Sequence, residues 1–144
     1  MVKLQMLISG GQLGPVDTNG ATTSGTAFDT AQITNALGPS TTVMGIFRVG
    51  NIAASTTTLI IEEATEDTFA SPSTVVTFTN LTGSDDNKAV AATINIGGNR
   101  LRYLRWKVTG GAGATVVCGE FLALPTGITP DTAAKRGFAQ FQTV

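Results

Sequence analysis

The sequence predicts an all-β protein that folds as an antiparallel β-sandwich. Three observations support this fold class. Threonine makes up 24 of 144 residues, and its β-branched side chain loses rotamer freedom in helices but packs well in strands. Apolar and polar residues alternate in several short segments, as they do in strands with one buried face. Seventeen glycines and five prolines lie mainly between these segments, which is typical of strand connections.

Eight segments have the pattern of strands, and a sandwich of eight strands suits a jelly-roll-like arrangement. The clearest alternation is in AVAATINIG (89–97) and LRWKV (104–108). We expect Phe78, Val90, Ile94, Leu104 and Trp106 to share one core. The segment Asp29–Gly38 is the exception, because its pattern predicts a short helix. The remaining strand segments are 41–49, 55–63, 73–81 and TVVCGEF (115–121), with weaker ones at 3–8 and 21–28.

The chain is predicted to form a single domain over residues 1–144, a length that suits one hydrophobic core. Residues 27–124 are expected to form the sandwich core. Residues 1–26 are expected to hold an N-terminal arm and the first strand, since 9–26 are small and polar. Residues 125–144 follow the last strand with two prolines, which cannot donate ladder hydrogen bonds. They are predicted to be an extended C-terminal arm.

The charge of the chain argues against nucleic-acid and membrane partners. Nine Lys and Arg residues face ten Asp and Glu residues, for a net charge of -1, so no basic field would attract a polyanion. Only 13% of residues are charged, and we expect part of the surface to be covered by another protein. Threonine could instead supply the missing polarity. The start, MVKLQMLISGG, is too short for a secretory or membrane segment, so we expect synthesis in a cytoplasm.

The residues needed for common enzyme chemistry are scarce. There is no histidine, which excludes Ser-His-Asp and Cys-His arrangements and the commonest zinc ligand. The glycine-rich GGAGAT (110–115) lacks the lysine of a phosphate-binding loop and is predicted to be a hairpin turn. The single cysteine, Cys118, lies in apolar TVVCGEF and is predicted to be a buried core thiol. We therefore expect no catalytic residue, no cofactor site and no enzyme activity.

Two groups of carboxylates leave alternatives open. EEATED (62–67) could bind Ca²⁺ through its clustered oxygens, or it could be a solvated loop between two strands. The spacing of an EF-hand is absent, so no metal site is predicted. Asp85 and Asp86 are expected at the tip of a hairpin, where Asp favours turn geometry.

Two segments carry candidate interaction residues. In RLRYLRWKV (100–108), Tyr103, Arg105 and Lys107 share the outward parity, and Tyr and Arg are enriched where proteins meet. The alternative is a solvated cationic face on a central strand. The tail could dock on a neighbouring subunit as an arm that becomes ordered on binding, or pack back onto its own sandwich. Its candidate contact residues are Lys135, Arg136, Phe138 and Phe141.

RYLRWKVTGGAGATVVCGEF (102–121) resembles the last hairpin of the small cement (decoration) proteins on tailed-phage capsids. TTTLIIEEATEDTFASPSTVVTF (56–78) resembles the preceding pattern of that family, an apolar strand, an acidic loop with a phenylalanine, and another strand. The resemblance spans roughly residues 27–124. It implies a jelly-roll sandwich that binds outside an icosahedral capsid and clamps neighbouring major capsid subunits.

The resemblance and the composition together predict a non-enzymatic virion structural protein on the capsid exterior, made in the host cytoplasm. Its expected partners are the major capsid protein and further copies of itself, as a homodimer or, alternatively, a trimer. Two other functions remain open at this point. The chain could be another phage structural module, such as a tail, fibre or head-fibre component, or it could be a carbohydrate-binding β-sandwich.

Overall fold

The computed structural model describes residues 9–37, 42–52, 57–78, 80–113, 115–124 and 138–144. Strands dominate these ranges, as predicted, and the all-β fold class is confirmed. A single turn of 3-10 helix, Gly83–Asp85, precedes β7. In chain order the elements are β1 (Ser9–Asp17), β2 (Thr22–Ser24), β3 (Phe28–Asp29), α1 (Thr30–Leu37), β4 (Thr42–Ile52), β5 (Thr58–Ala64), β6 (Ser73–Thr77), β7 (Ala89–Asn95), β8 (Tyr103–Thr109), β9 (Thr115–Leu124) and β10 (Phe138–Thr143).

Two sheets form the sandwich. Sheet A has the strand order β1-β9-β4-β7-β10 and sheet B the order β2-β8-β5-β6, with β3 also paired to β8. The pairs β1–β9, β2–β8, β4–β7 and β5–β6 are all antiparallel. The chain therefore folds as one long hairpin of four strand pairs, rolled up so that successive pairs fall in alternate sheets. This is the topology of a jelly roll, as the sequence predicted.

The predicted hairpin between LRWKV and TVVCGEF is wrong. Strand β8 pairs with β5 and β2 in sheet B, whereas β9 pairs with β1 and β4 in sheet A. The glycine-rich connection after Thr109 therefore carries the chain from one sheet to the other. Gly110 is required there because a Cβ atom would collide with Thr18. In a jelly roll, strands adjacent in sequence commonly lie in different sheets, so a tight turn between two strands does not imply that they pair.

The core lies between the sheets around Trp106, as predicted. The Trp106 ring from sheet B is fully buried and contacts Phe47 and Phe121 of sheet A, with centroid distances of 5.3 Å to each. Sheet A makes room for the indole with glycines, because a Cβ on Gly45 would lie 2.7 Å from the Trp106 ring. All five residues predicted to form the core are buried: Phe78, Val90, Ile94, Leu104 and Trp106.

The helix predicted over 29–38 is present as α1. Asp29 caps it, because its Oδ1 accepts a hydrogen bond of 3.0 Å from the Ala31 N–H, satisfying one of the free donors of the first turn. Ile33 is fully buried in the same core as Trp106. Among the α1 side chains that the structure describes, Ile33 is the large buried one, and through it the helix packs against the sandwich.

The segments predicted as arms contribute strands instead, wherever the structure describes them. Strand β1 pairs with β9 although it is rich in glycine, because main-chain hydrogen bonds hold it. Leu13 is the buried apolar side chain among those of β1 that the structure describes. The weaker strand candidate at 3–8 lies outside the described residues. At the other end, β10 pairs in parallel with β7, so the sandwich is antiparallel except for this pair. Residues 125–137 lie outside the described residues.

Candidate interaction surfaces

The outer face of sheet B carries a closed ion-pair network around Glu62. Glu62 lies opposite Arg105 on the neighbouring strand. The Arg105 Nε donates a hydrogen bond of 2.9 Å to Glu62 Oε2, and the Lys107 Nζ donates one of 2.9 Å to Oε1. Glu62 itself is only 4% exposed. One buried carboxylate is therefore shared by the two cations that the sequence offered for a partner.

The electrostatics of Glu62 reflect this arrangement. Burial raises the pKa of the Glu62 carboxyl, but hydrogen bonds and charge from Lys107 and Arg105 outweigh burial and hold the pKa below its ordinary value. A buried carboxylate is tolerated only when its charge is compensated. The charge of Glu62 is compensated within the chain by Arg105 and Lys107. These two side chains would have to break their ion pairs with Glu62 to bind an acidic partner.

Phe69, in the loop between β5 and β6, contacts the ion-pair network through Arg105. The Arg105 guanidinium lies over the Phe69 ring, with its carbon 4.2 Å from the centroid, a cation–π contact. Phe69 is 5% exposed and has a positive φ of 52°, uncommon for a bulky side chain. The acidic loop is thus fastened to sheet B by one buried aromatic ring, while Glu66 and Asp67 are exposed to solvent.

The predicted interface residues fall into three places. Tyr103, Arg105 and Lys107 are half-buried on strand β8, and Arg102 stacks over Tyr103 at 5.0 Å. Phe138 and Phe141 lie on β10, in the other sheet, with their ring centroids 6.1 Å apart. Lys135 and Arg136 lie outside the described residues. The structure therefore brings the β8 residues together but does not join them to the two tail phenylalanines.

The outer face of sheet A differs in character from that of sheet B. Its residues alternate with core residues along β4, β7 and β9, and register places Phe141 beside Ala91. Ile46, Leu122, Phe138 and Phe141 are each partly exposed on this face. The described outward-facing residues of β4, β7, β9 and β10 are Thr42, Met44, Ile46, Arg48, Ala89, Ala91, Thr93, Asn95, Val116, Cys118, Glu120, Leu122, Phe138 and Phe141.

Only two of these residues are charged. Arg48 is exposed, and Glu120 is partly exposed. Neither side chain forms an ion pair or a hydrogen bond within the part of the chain that the structure describes. This face is therefore apolar, with one unpaired charge of each sign. An alternating pattern in TTVMGIFRV already places Met44, Ile46 and Arg48 on one side, so the signal was in the sequence.

A shallow groove runs along the same face between β1 and β4. It has a volume of about 260 Å³ and is lined in part by Pro15, Ile46, Arg48 and Glu120. Cys118 also lines it and is partly exposed, so the prediction of a buried core thiol is wrong. Cys118 shares the parity of Glu120 on β9, whereas Val117 and Phe121 point into the core.

The remaining carboxylates have structural partners. Asp85 Oδ2 accepts a hydrogen bond of 3.0 Å from the Thr82 N–H, and Asp86 Oδ1 accepts one of 2.7 Å from the Ile52 N–H. Both Asp residues lie at a turn, as predicted, although it joins the two sheets and is no hairpin tip. Among the described residues, no group of three or more acidic or cysteine side chains could hold a metal ion. The calcium alternative for 62–67 therefore has no support in that part of the chain.

Comparison with protein-family models, with curated proteins and with solved structures finds no significant match to this chain. Among the described residues, no helix has the length and hydropathy of a membrane span.

Proposed function

We propose that this protein is a non-enzymatic structural protein of a tailed-phage particle, a cement protein that binds the outside of the assembled head. One observation carries the proposal most directly, namely the apolar outer face of sheet A. Met44, Ala91 and Thr93 are buried there, but Ile46, Leu122, Phe138 and Phe141 are partly exposed. A soluble monomer rarely exposes neighbouring large apolar side chains without a function for them, and such side chains are typical of protein interfaces. We assign this face, rather than β8, as the surface that meets the major capsid protein.

The charges of the two faces support that assignment. On sheet B, Arg105 and Lys107 are already paired with Glu62, and separating a buried pair is costly. On sheet A, Arg48 and Glu120 have no partner among the described residues, so a capsid surface could pair with both without breaking an internal bond. The prediction that Tyr103, Arg105 and Lys107 contact a partner stays a prediction.

The alternatives receive less support. A carbohydrate-binding sandwich needs several exposed aromatic rings grouped in one place, on which a sugar can stack. Most aromatic rings here are buried, and the partly exposed ones are divided between sheet B (Tyr103) and sheet A (Phe138 and Phe141). A tail, fibre or head-fibre component would use the same apolar face, so the identity of the partner decides between it and a cement protein. The jelly-roll fold is shared by many unrelated functions and is an argument by analogy only.

A cement protein acts by mass action. It binds the assembled shell but not the separated subunits, so its binding free energy adds to the stability of the shell. Many copies with modest individual affinity sum to a large effect. This mechanism needs no catalytic group, in keeping with the predicted absence of enzyme activity. The proposal includes a location on the virion exterior.

Variants on the two faces test the proposal. Ile46→Glu or Leu122→Glu would introduce a charge into the sheet A face, and we expect at least a tenfold loss of binding to shells lacking this protein. Thr58→Glu, at an exposed position on β5 of sheet B, is the matched control and should bind normally. Folding of all variants would be checked by denaturation. Equal binding by the three variants, or no binding of the natural protein to shells, would contradict the proposal.

A further inference from the structure

The strand β10 is an addition to a sandwich that is complete without it. The four pairs of the jelly roll use β1, β2 and β4–β9, and β10 only extends the edge of sheet A. Its residues are mostly half-exposed, and Ala139 is the part of β10 that packs against the core cluster. An edge strand held mainly by its main chain can be replaced by an identical strand from elsewhere.

Most described contacts of β10 are to β7 and β6. The Asn95 N–H donates to the Val144 carbonyl at 3.0 Å, and the Val144 N–H donates to the Thr93 carbonyl at 2.9 Å. The Thr93 hydroxyl donates to the Thr143 hydroxyl at 3.2 Å, and the Gln142 amide donates to the Thr77 carbonyl at 2.8 Å. These donors and acceptors on β7 and β6 would bind the tail of a second copy equally well.

The covalent connection to β10 is long. Leu124, at the end of β9, aligns through Thr42 with Asn95 at the far end of β7, whereas Phe138 aligns with Ala89 at its start. Reaching β10 within one chain thus requires about 20 Å along the strands and about 14 Å across three strand spacings. The separation is about 25 Å, while the thirteen residues 125–137 can extend to about 45 Å.

We propose that β10 exchanges between copies of this chain, so that residues 138–144 of one copy occupy the β7 edge of another. The surplus reach of the connection lets the strand leave its own sheet for a neighbour. Mutual exchange gives a closed, two-fold symmetric dimer, because each copy both donates and accepts one strand. Exchange is favoured wherever copies are crowded, since it competes with an intramolecular contact of finite effective concentration. This inference does not depend on the capsid function.

Single-cysteine variants test the exchange in the full chain. In a Cys118→Ser background, Thr93→Cys is mixed with Thr143→Cys, and the mixture is unfolded, refolded and oxidised at increasing concentration. Neither variant can form this disulfide within one chain. We expect a crosslinked dimer at least several-fold above the control mixture of Thr93→Cys with Thr109→Cys, whose second cysteine lies at the exposed end of β8 in sheet B. A yield equal to that of the control would overturn the proposal.

A second variant tests the proposal without relying on the folding of the cysteine variants. Deleting residues 127–135 leaves four connecting residues, which span at most about 18 Å between Leu124 and Phe138 and cannot cover the separation of about 25 Å within one chain. The proposal requires this variant to be a dimer by light scattering, with the Asn95 amide protected from hydrogen exchange by the partner's strand. A monomer, with or without that protection, would contradict it.

Discussion

Trp106 is the residue on which the two sheets converge. Its ring is fully buried, stacks on Phe121 with an interplanar angle of 16° and donates a hydrogen bond of 3.3 Å to the Glu120 carbonyl. We expect Trp106→Ala to lower the free energy of unfolding by about 3–5 kcal/mol, as large core truncations do. Chemical denaturation measures this loss. A native fluorescence spectrum typical of a solvent-exposed indole would contradict the assignment.

Gly45, on sheet A, leaves the space that the Trp106 ring occupies. An alanine there would place its Cβ 2.7 Å from the Trp106 ring, and overpacking of this kind typically costs about 1–3 kcal/mol. Gly14, on β1, is a matched control because a Cβ at that position meets no atom within 4 Å. We expect Gly45→Ala to shift the denaturation midpoint clearly and Gly14→Ala to leave it nearly unchanged. Similar shifts for both variants would show that the glycine does not set the packing.

The ion pairs of Glu62 make stability depend on acid. The folded protein holds the pKa of Glu62 below its ordinary value of 4.5, so the unfolded chain takes up the proton first as the pH falls. The stabilisation is complete above that ordinary value and is lost as the pH falls through the lower folded value.

Glu62→Gln removes this titration. We expect the variant to be less stable by about 1–3 kcal/mol at neutral pH, because Arg105 and Lys107 lose a charged acceptor. Its free energy of unfolding should also decrease less steeply below about pH 5. Denaturation curves at several pH values measure both effects. Parallel pH profiles for the variant and the natural protein would rule out Glu62 as a source of acid sensitivity.

At the scale of elements, the stability of α1 depends on Asp29, the residue that precedes it. Asp29 caps the helix and also binds Arg102, with Nη2 to Oδ2 at 2.8 Å. That hydrogen bond from Arg102 is the main reason that the pKa of Asp29 lies below its ordinary value. We expect Asp29→Ala to reduce stability by about 1 kcal/mol through loss of the cap. Asp29→Asn keeps an acceptor oxygen and should lose less, so an equal loss would assign the effect to the ion pair.

The central strands were predictable because alternation reports a single buried face. Strands β4, β5, β7 and β8 lie close to the segments that the sequence indicated. Strand β1 was not predictable, because its glycines pair through the main chain and carry no apolar pattern. The pairing of β10 was also hidden. A register shift lies between Phe138 and Gln140, so the two phenylalanines share a face at a spacing of three residues rather than two.

The candidate surfaces show a similar limit. Outward parity correctly placed Tyr103, Arg105 and Lys107 on one face, but no local pattern shows that Glu62, more than forty residues away, lies opposite them. The outward orientation of Cys118 could have been predicted, because it lies two residues from the charged Glu120 and therefore on the same face of the strand. What the sequence could not show is which strands become neighbours. That information decides which charges are neutralised and which faces stay apolar.

At the scale of the whole molecule, the rolled hairpin separates two unlike surfaces. Sheet B is charged, with Arg105 and Lys107 paired to Glu62, while sheet A is apolar with Arg48 and Glu120 unpaired among the described residues. If sheet A covers the junctions between capsid subunits, particles stripped of this protein should tolerate less heat or osmotic shock while the shell keeps its geometry. Thermal challenge of bare and re-decorated particles measures the difference.

A cryo-electron microscopy map of the particle that carries this protein tests the central claim most directly. We predict that the outer face of sheet A, with Ile46, Leu122 and Phe141, lies against the major capsid protein, and that the Glu62–Arg105–Lys107 network faces solvent. A map in which sheet B lies against the shell, or in which the heads carry no density for this protein, would contradict the account.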